Sequence, residues 1–172
     1  MSHAKNKVKW CLQKAQKELE KGDKHRGLVE VTPNLEKAKE HLAKADHNLK
    51  TTLYLKKGGY SDWCSSTLFY IIHHCFLAIL VKQGYETRNQ ECTFALIESL
   101  IEDKLITITQ EELEKIGSLN IEDAHATPTV VDIREEYQYA TKLSLEDQTY
   151  TEMFQLTQEI LEKTKLKINY RL

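Results

Sequence analysis

Residues 58–95 read GGYSDWCSSTLFYIIHHCFLAILVKQGYETRNQECTFA, and this stretch decides the fold. Its centre, Thr67–Val81, is the most apolar run in the chain and is interrupted by the adjacent His73 and His74. Ser61 or Asp62 is placed to cap a helix here, and Gly84 to stop it after about Gln83. At 1.5 Å per residue such a helix is roughly 34 Å long. From Leu68 to Val81 it is apolar nearly all round, which predicts a central position with neighbours on several sides. Cys64, Leu68, Ile71, Cys75 and Ile79 fall on one face; Trp63, Thr67, Tyr70, His74, Leu77 and Val81 fall on another.

The flanking chain reads as helices built to pack on it. Upstream, Asn34 precedes a stripe of Leu35, Ala38, Leu42, Ala45, Leu49 and Leu53. These spacings of three and four predict a helix ending near Lys57, before Gly58-Gly59. Residues 4–21 carry a further stripe of Val8, Cys11, Leu12, Ala15 and Leu19, with Trp10 beside it and Gly22 after it. The connection GDKHRGLVEVTPN holds Val29 and Val31, a brief extended piece, and Pro33 keeps Thr32 out of helix.

Downstream, GYETRNQ reads as a polar turn, followed by a fourth helix with Cys92, Leu96 and Leu100 on one side and Phe94, Ile97 and Ile101 on the next. Thr109 with Glu112 three residues on forms a capping box for a short helix over 107–117. Residues 118–129 read as a loop, and two last helices span about 129–143 and 146–168. The result is an all-α, antiparallel up-and-down helical bundle with an extra N-terminal helix. Residues 1–33 form that basic helix and its connection, and 34–172 the bundle, one compact domain overall.

The formal charge of -2 hides an asymmetry: residues 1–60 carry 14 basic against 7 acidic groups, and the remainder 10 against 19. Lys5, Lys7, Lys9, Lys14, Lys17, Lys21, Lys24 and Arg26 make a basic arm, suited to phosphate and equally to solvating a helix face. The four cysteines, Cys11, Cys64, Cys75 and Cys92, contain no C-x-x-C pair and read as reduced, buried hydrophobes in a reducing compartment. The opening MSHAKNKVKW has no apolar core of a secretory signal. Thr67–Val81, at 15 residues, falls short of the roughly 20 that cross a bilayer. A cytoplasmic location and no membrane partner are expected.

Two segments carry a resemblance. The first is LEKAKEHLAKADHNLKTTLYLKKGGYSDWCSSTLFYIIHHCFLAILVKQGYETRN. It has a helix ending in Gly-Gly-Tyr, a second of the form D-x-x-x-S-x-x-x-Y-x-x-x-H, and a polar turn with Arg-Asn. The second is IREEYQYATKLSLEDQTYTEMFQLTQEILEKT, with R-x-x-x-Y ahead of a long last helix. Together, over roughly 34–168, they resemble the HEPN domain family. The resemblance implies a homodimeric helical bundle. Many members are metal-independent RNases, often toxins encoded beside a nucleotidyltransferase antitoxin. Others bind RNA, a nucleotide or a protein partner without catalysis.

The family's active motif is R-x4–6-H. A histidine titrating near neutrality takes the 2′-hydroxyl proton, and an arginine holds the developing phosphorane. Arg88 and Asn89 match its first half. Thr93, Phe94 and Ala95 stand where the histidine belongs, and the next histidine along the chain is His125. The R-x4-H-x-Y form, whose tyrosine is adenylylated in some toxins, fails at Thr93 and Ala95 as well. Loss of a general base costs about 10²–10⁴ in rate.

The expectation is therefore a non-catalytic or degenerate HEPN-type module that binds RNA, a nucleotide or a partner such as a nucleotidyltransferase. The alternative is an active RNase in which His73 or His74 meets Arg88 across a dimer cleft. A third reading is a structural subunit dimerising through the helix over 61–83. His73 and His74 lie about 100° apart on that helix, and a buried core histidine beside an interface histidine is the plainer account of them. Arg134 and Tyr137 are further phosphate- or RNA-binding candidates, with Glu135 and Glu136 beside Arg134 suggesting a surface ion-pair cluster instead. No cofactor and no metal are implied; His73, His74 and Cys75 or Cys92 match no closed zinc spacing.

Overall fold

A computed structural model describes residues 1–117 and 127–169; most of the loop read at 118–129 lies outside them. The described elements are α1 (His3–Glu20), β1 (Leu28–Glu30), α2 (Leu35–Lys57), α3 (Ser61–Lys82), β2 (Tyr85–Thr87), α4 (Gln90–Glu102), α5 (Gln110–Ile116), α6 (Val130–Tyr139) and α7 (Asp147–Ile168). The chain is an all-α helical bundle with one two-stranded ladder.

α2 and α3 form an antiparallel hairpin. Asn34 N donates to the Val81 carbonyl, His41 meets His74, and the Thr52 hydroxyl donates to Thr67 Oγ1 at 2.7 Å. α7 lies on α3 in the same direction: Leu145 N donates to Ser61 Oγ near one end and Lys82 Nζ to the Lys167 carbonyl near the other. The core face of α3 is the one formed by Cys64, Leu68, Ile71, Cys75 and Ile79, all buried, together with Ile72, Phe76 and Leu80. Full burial of side chains this size contributes roughly 1.5–3 kcal/mol each. The other face is only partly covered. Trp63 is 59% exposed and Tyr70 45%, while Thr67, His74, Leu77 and Val81 are intermediate. As a helix of 22 residues, α3 is long and apolar enough to cross a membrane by length and composition, but most of its apolar window is buried inside the bundle.

Local signals behave as the residue chemistry requires. Asn34 Oδ1 accepts from Lys37 N, and Thr109 with Glu112 forms the full capping box of α5. The cap of α3 differs: Tyr60 is the N-cap and no side chain caps it, because Ser61 faces inward and binds Leu145 N instead. The last two helices start close to their expected places, but α6 stops at Tyr139.

Two features correct the sequence reading. The supposed turn at 84–90 contains strand β2, antiparallel to β1 in the register Leu28↔Thr87, Val29↔Glu86 and Glu30↔Tyr85. Gly84 makes the approach, with φ +88° and so little room that an added Cβ would lie 2.9 Å from the Val31 carbonyl. The cysteines are not all reduced: Cys11 and Cys92 form a disulfide between α1 and α4, and Cys64 and Cys75 are free and buried. The pair is 81 residues apart in sequence, yet α1 packs antiparallel on α4 and brings the two Cα atoms to 5.9 Å. The argument for a reducing compartment from cysteine usage therefore falls.

Candidate functional site

The sequence candidates separate into two places. At the first, Arg88 follows β2. Its backbone N donates to the Gly27 carbonyl at 3.2 Å, which extends the ladder beyond Thr87. Its guanidinium is exposed and donates from Nε to Glu86 Oε1 at 3.1 Å. Glu86 Oε1 also lies 3.5 Å from Nε2 of His25, a buried histidine in the connection before β1. Asn89 is the N-cap of α4, and its Oδ1 accepts from Cys92 N at 3.0 Å. Thr93 is fully buried, and its hydroxyl donates to the Asn89 carbonyl at 2.9 Å. Phe94 and Ala95 are buried too. Of the three positions where the motif of the resembled family has its histidine, Thr93 ties the corner from inside and Phe94 and Ala95 are buried.

The second place lies where α2, α3 and α6 meet. His74 Nδ1 is 3.1 Å from His41 Nδ1, so one ring donates and the other accepts. His73 stacks on Phe69, with ring centroids 5.8 Å apart. The guanidinium carbon of Arg134 lies 4.4 Å from the centre of the same Phe69 ring, a cation–π contact, and Nη2 donates to Glu135 Oε1 at 3.1 Å. Among the described residues, Arg134 Nε and His73 Nδ1 are buried without partners. Tyr137 packs on the core, under the Lys142 ammonium. The structure thus brings His73, His74 and Arg134 together, and among the described residues Arg88 is bonded to Glu86 and Gly27. Among the described residues, no group of three or more His, Cys, Asp or Glu side chains is placed to hold a metal ion.

Burial sets the histidine chemistry. It pushes the His73 pKa down to about 4, helped by the charges of His74, His41 and Arg134. It does the same for His41, again to about 4, with His74 and Lys37 adding to it and Glu40 opposing. His74 is lowered by burial and by Lys44. These groups take up protons more readily in the unfolded chain than in the native one, so stability rises with pH across that window. The contribution is complete above about 6.5 and is lost as the pH falls toward about 4. The urea midpoint at pH 5 is expected below that at pH 7.5, and His73→Asn should flatten the difference. A midpoint unchanged between the two pH values would contradict the burial of both rings.

His25, His41 and Glu86 were not marked by the sequence. His25 lies in a polar connection, and only the pairing of two three-residue strands brings it to Glu86. His41 sits on the stripe side of α2, one residue before Leu42, and a histidine there carries no signal until α3 is placed against it. No protein-family model matches the chain, and no curated protein matches it significantly.

Proposed function

We propose that the chain is a HEPN-type helical-bundle module that binds RNA or a nucleotide through phosphate contacts and does not cleave it. The observation that carries this reading is the corner at Arg88. Thr93, Phe94 and Ala95 are buried, so no histidine of the motif faces the guanidinium, while Arg88 itself is exposed and held by one carboxylate. The α3 histidines support the same reading, since His74 faces His41 and His73 faces Phe69. The resemblance adds a homodimer and a nucleotidyltransferase encoded alongside, as in toxin–antitoxin pairs.

Incubation with single-stranded RNA in EDTA is the test. The expected result is intact RNA, bound with an affinity that Arg88→Ala reduces. Robust EDTA-resistant cleavage abolished by Arg88→Ala would overturn the reading.

The second reading is the metal-independent RNase working across a dimer. The partly open face of α3 favours it, because Trp63, Tyr70 and His74 lie on that face; the reading requires a second copy's Arg88 to reach them. In that case the same assay shows products with cyclic phosphate ends, lost in His73→Ala or His74→Ala. Unchanged cleavage in both single variants and in the double variant rules it out.

A further inference from the structure

Glu86 is approached by two basic side chains from different parts of the chain. Its Oε1 is shared by Arg88 Nε at 3.1 Å and His25 Nε2 at 3.5 Å. His25 is 7% exposed although it comes from a polar segment, and its Nδ1 is buried without a partner. Nε2, facing Glu86, is then the nitrogen placed to carry a proton outward. Burying an imidazole with half its polar capacity unmet is costly, and β1 has no need of a histidine before it to form its ladder.

We propose that Arg88 and His25 form a cradle for a phosphate group, and that Glu86 is an internal carboxylate occupying it until the ligand displaces it. This deepens the binding function proposed above, since it rests on Arg88 as a phosphate-contacting residue. Carboxylate and phosphate present the same acceptor geometry to a guanidinium, and the phosphate brings more oxygens and more charge. Displacement is cheap because Glu86 and Arg88 are both about half exposed and an exposed pair of this kind contributes little. The backbone beneath is fixed. Arg88 N is bonded to Gly27, and the hydroxyls of Thr87 and Thr93 both donate to the Asn89 carbonyl. The cradle is thus preorganised and only one side chain has to rotate away, the arrangement that keeps the ordering cost of binding low.

The experiment titrates the full chain with inorganic phosphate at pH 7, reading the histidine ring resonances, with His25 assigned through His25→Gln. Parallel arms use adenosine monophosphate and a short single-stranded RNA without terminal phosphate. Glu86→Gln keeps the shape of residue 86 and removes its charge. It should tighten phosphate binding about fivefold, the order expected when an exposed ion pair stops competing. Arg88→Ala should abolish the phosphate-dependent shift of His25, and Arg88→Lys should restore part of it. Tighter binding of the monophosphate assigns the cradle to a nucleotide; tighter binding of the RNA assigns it to a phosphodiester backbone.

Equal or weaker phosphate binding by Glu86→Gln overturns the proposal, as does binding that survives Arg88→Ala. Both substitutions lie on the exposed edge. Uncleaved RNA bound equally by the native chain and by Glu86→Gln would leave the non-cleaving module standing and remove the cradle. RNA cleavage by the native chain together with tighter phosphate binding in Glu86→Gln would do the reverse.

Discussion

Reduction of the Cys11–Cys92 disulfide is expected to lower the stability of the chain by roughly 4 kcal/mol. The bond closes a loop across a sequence separation of 81 residues, and loop-closure entropy for a loop of that length gives about this figure. The interactions that would remain at the interface are weak replacements. α1 buries Ala4, Cys11 and Ala15, two of which are alanines with little apolar area to hide. Its polar ties to the α4 end of the bundle are Ser2 to Glu102, Lys5 to Asp103 and Lys7 to Glu91. These are exposed on at least one side, and pairs of that kind contribute about 0–1 kcal/mol.

The expected outcome for the reduced chain is a melting temperature lower by roughly 8–16 °C, at about 2–4 °C per kcal/mol for a chain of this length. Backbone amides of α1 should exchange first, ahead of those in α3, because its docking is the least supported. Cys11→Ala with Cys92→Ala should behave like reduction, whereas reductant should do nothing further to that double variant. Equal urea midpoints with and without reductant would show that α1 is held by its packing alone.

The disulfide marks a boundary in what the residues disclose by themselves. The helices were legible because each carries its own period. The five-residue core face of α3 follows from spacing alone, and so does the middle of the α2 stripe read from Leu35 to Leu53, whose two end leucines are exposed. So does the Thr109–Glu112 box, a local pattern with a local partner. What the sequence did not disclose was always a choice between distant partners. Ser61 has the chemistry of a cap, yet it is spent on Leu145, 84 residues away. Tyr85–Thr87 is too short to show alternation, and it becomes a strand only because Leu28–Glu30 lies within reach. Cys11 and Cys92 carry no mutual signal before α1 is laid on α4.

The candidate site divides along the same line. Arg88, Asn89, His73, His74 and Arg134 could be named from residue type and pattern. Glu86, His25 and His41 could not, because what singles them out is a distance of 3.5 Å or less to a residue on another element. Asn89, chosen for its place in a motif, also serves as the cap of α4.

Gly27→Ala is the second large effect, about 3 kcal/mol of lost stability. A Cβ added at Gly27 would stand 2.4 Å from the Cys11 carbonyl oxygen and 3.2 Å from both N and Cβ of Ala15. The nearest obstruction is backbone, which has no rotamer to escape into, and it belongs to the residue that the disulfide ties to α4. α1 or the β1 connection must therefore shift by about 1 Å, and forcing extra atoms into a packed contact costs roughly 1–3 kcal/mol, occasionally more. Gly22→Ala is the control: nothing lies within 4 Å there, but its φ of +79° still costs roughly 1–2 kcal/mol for a non-glycine residue. The two causes separate in a double-variant cycle. With Cys11→Ala and Cys92→Ala in place, α1 is free to move away, so the penalty of Gly27→Ala should fall by 1 kcal/mol or more, a coupling of the size seen for residues in contact. The penalty of Gly22→Ala should not change. The same displacement reaches the phosphate cradle, because the Gly27 carbonyl is the acceptor for Arg88 N. Gly27→Ala should therefore weaken phosphate binding even at temperatures where the bundle remains folded, and undiminished binding in a folded Gly27→Ala chain would show that Arg88 does not depend on the β1 edge for its position.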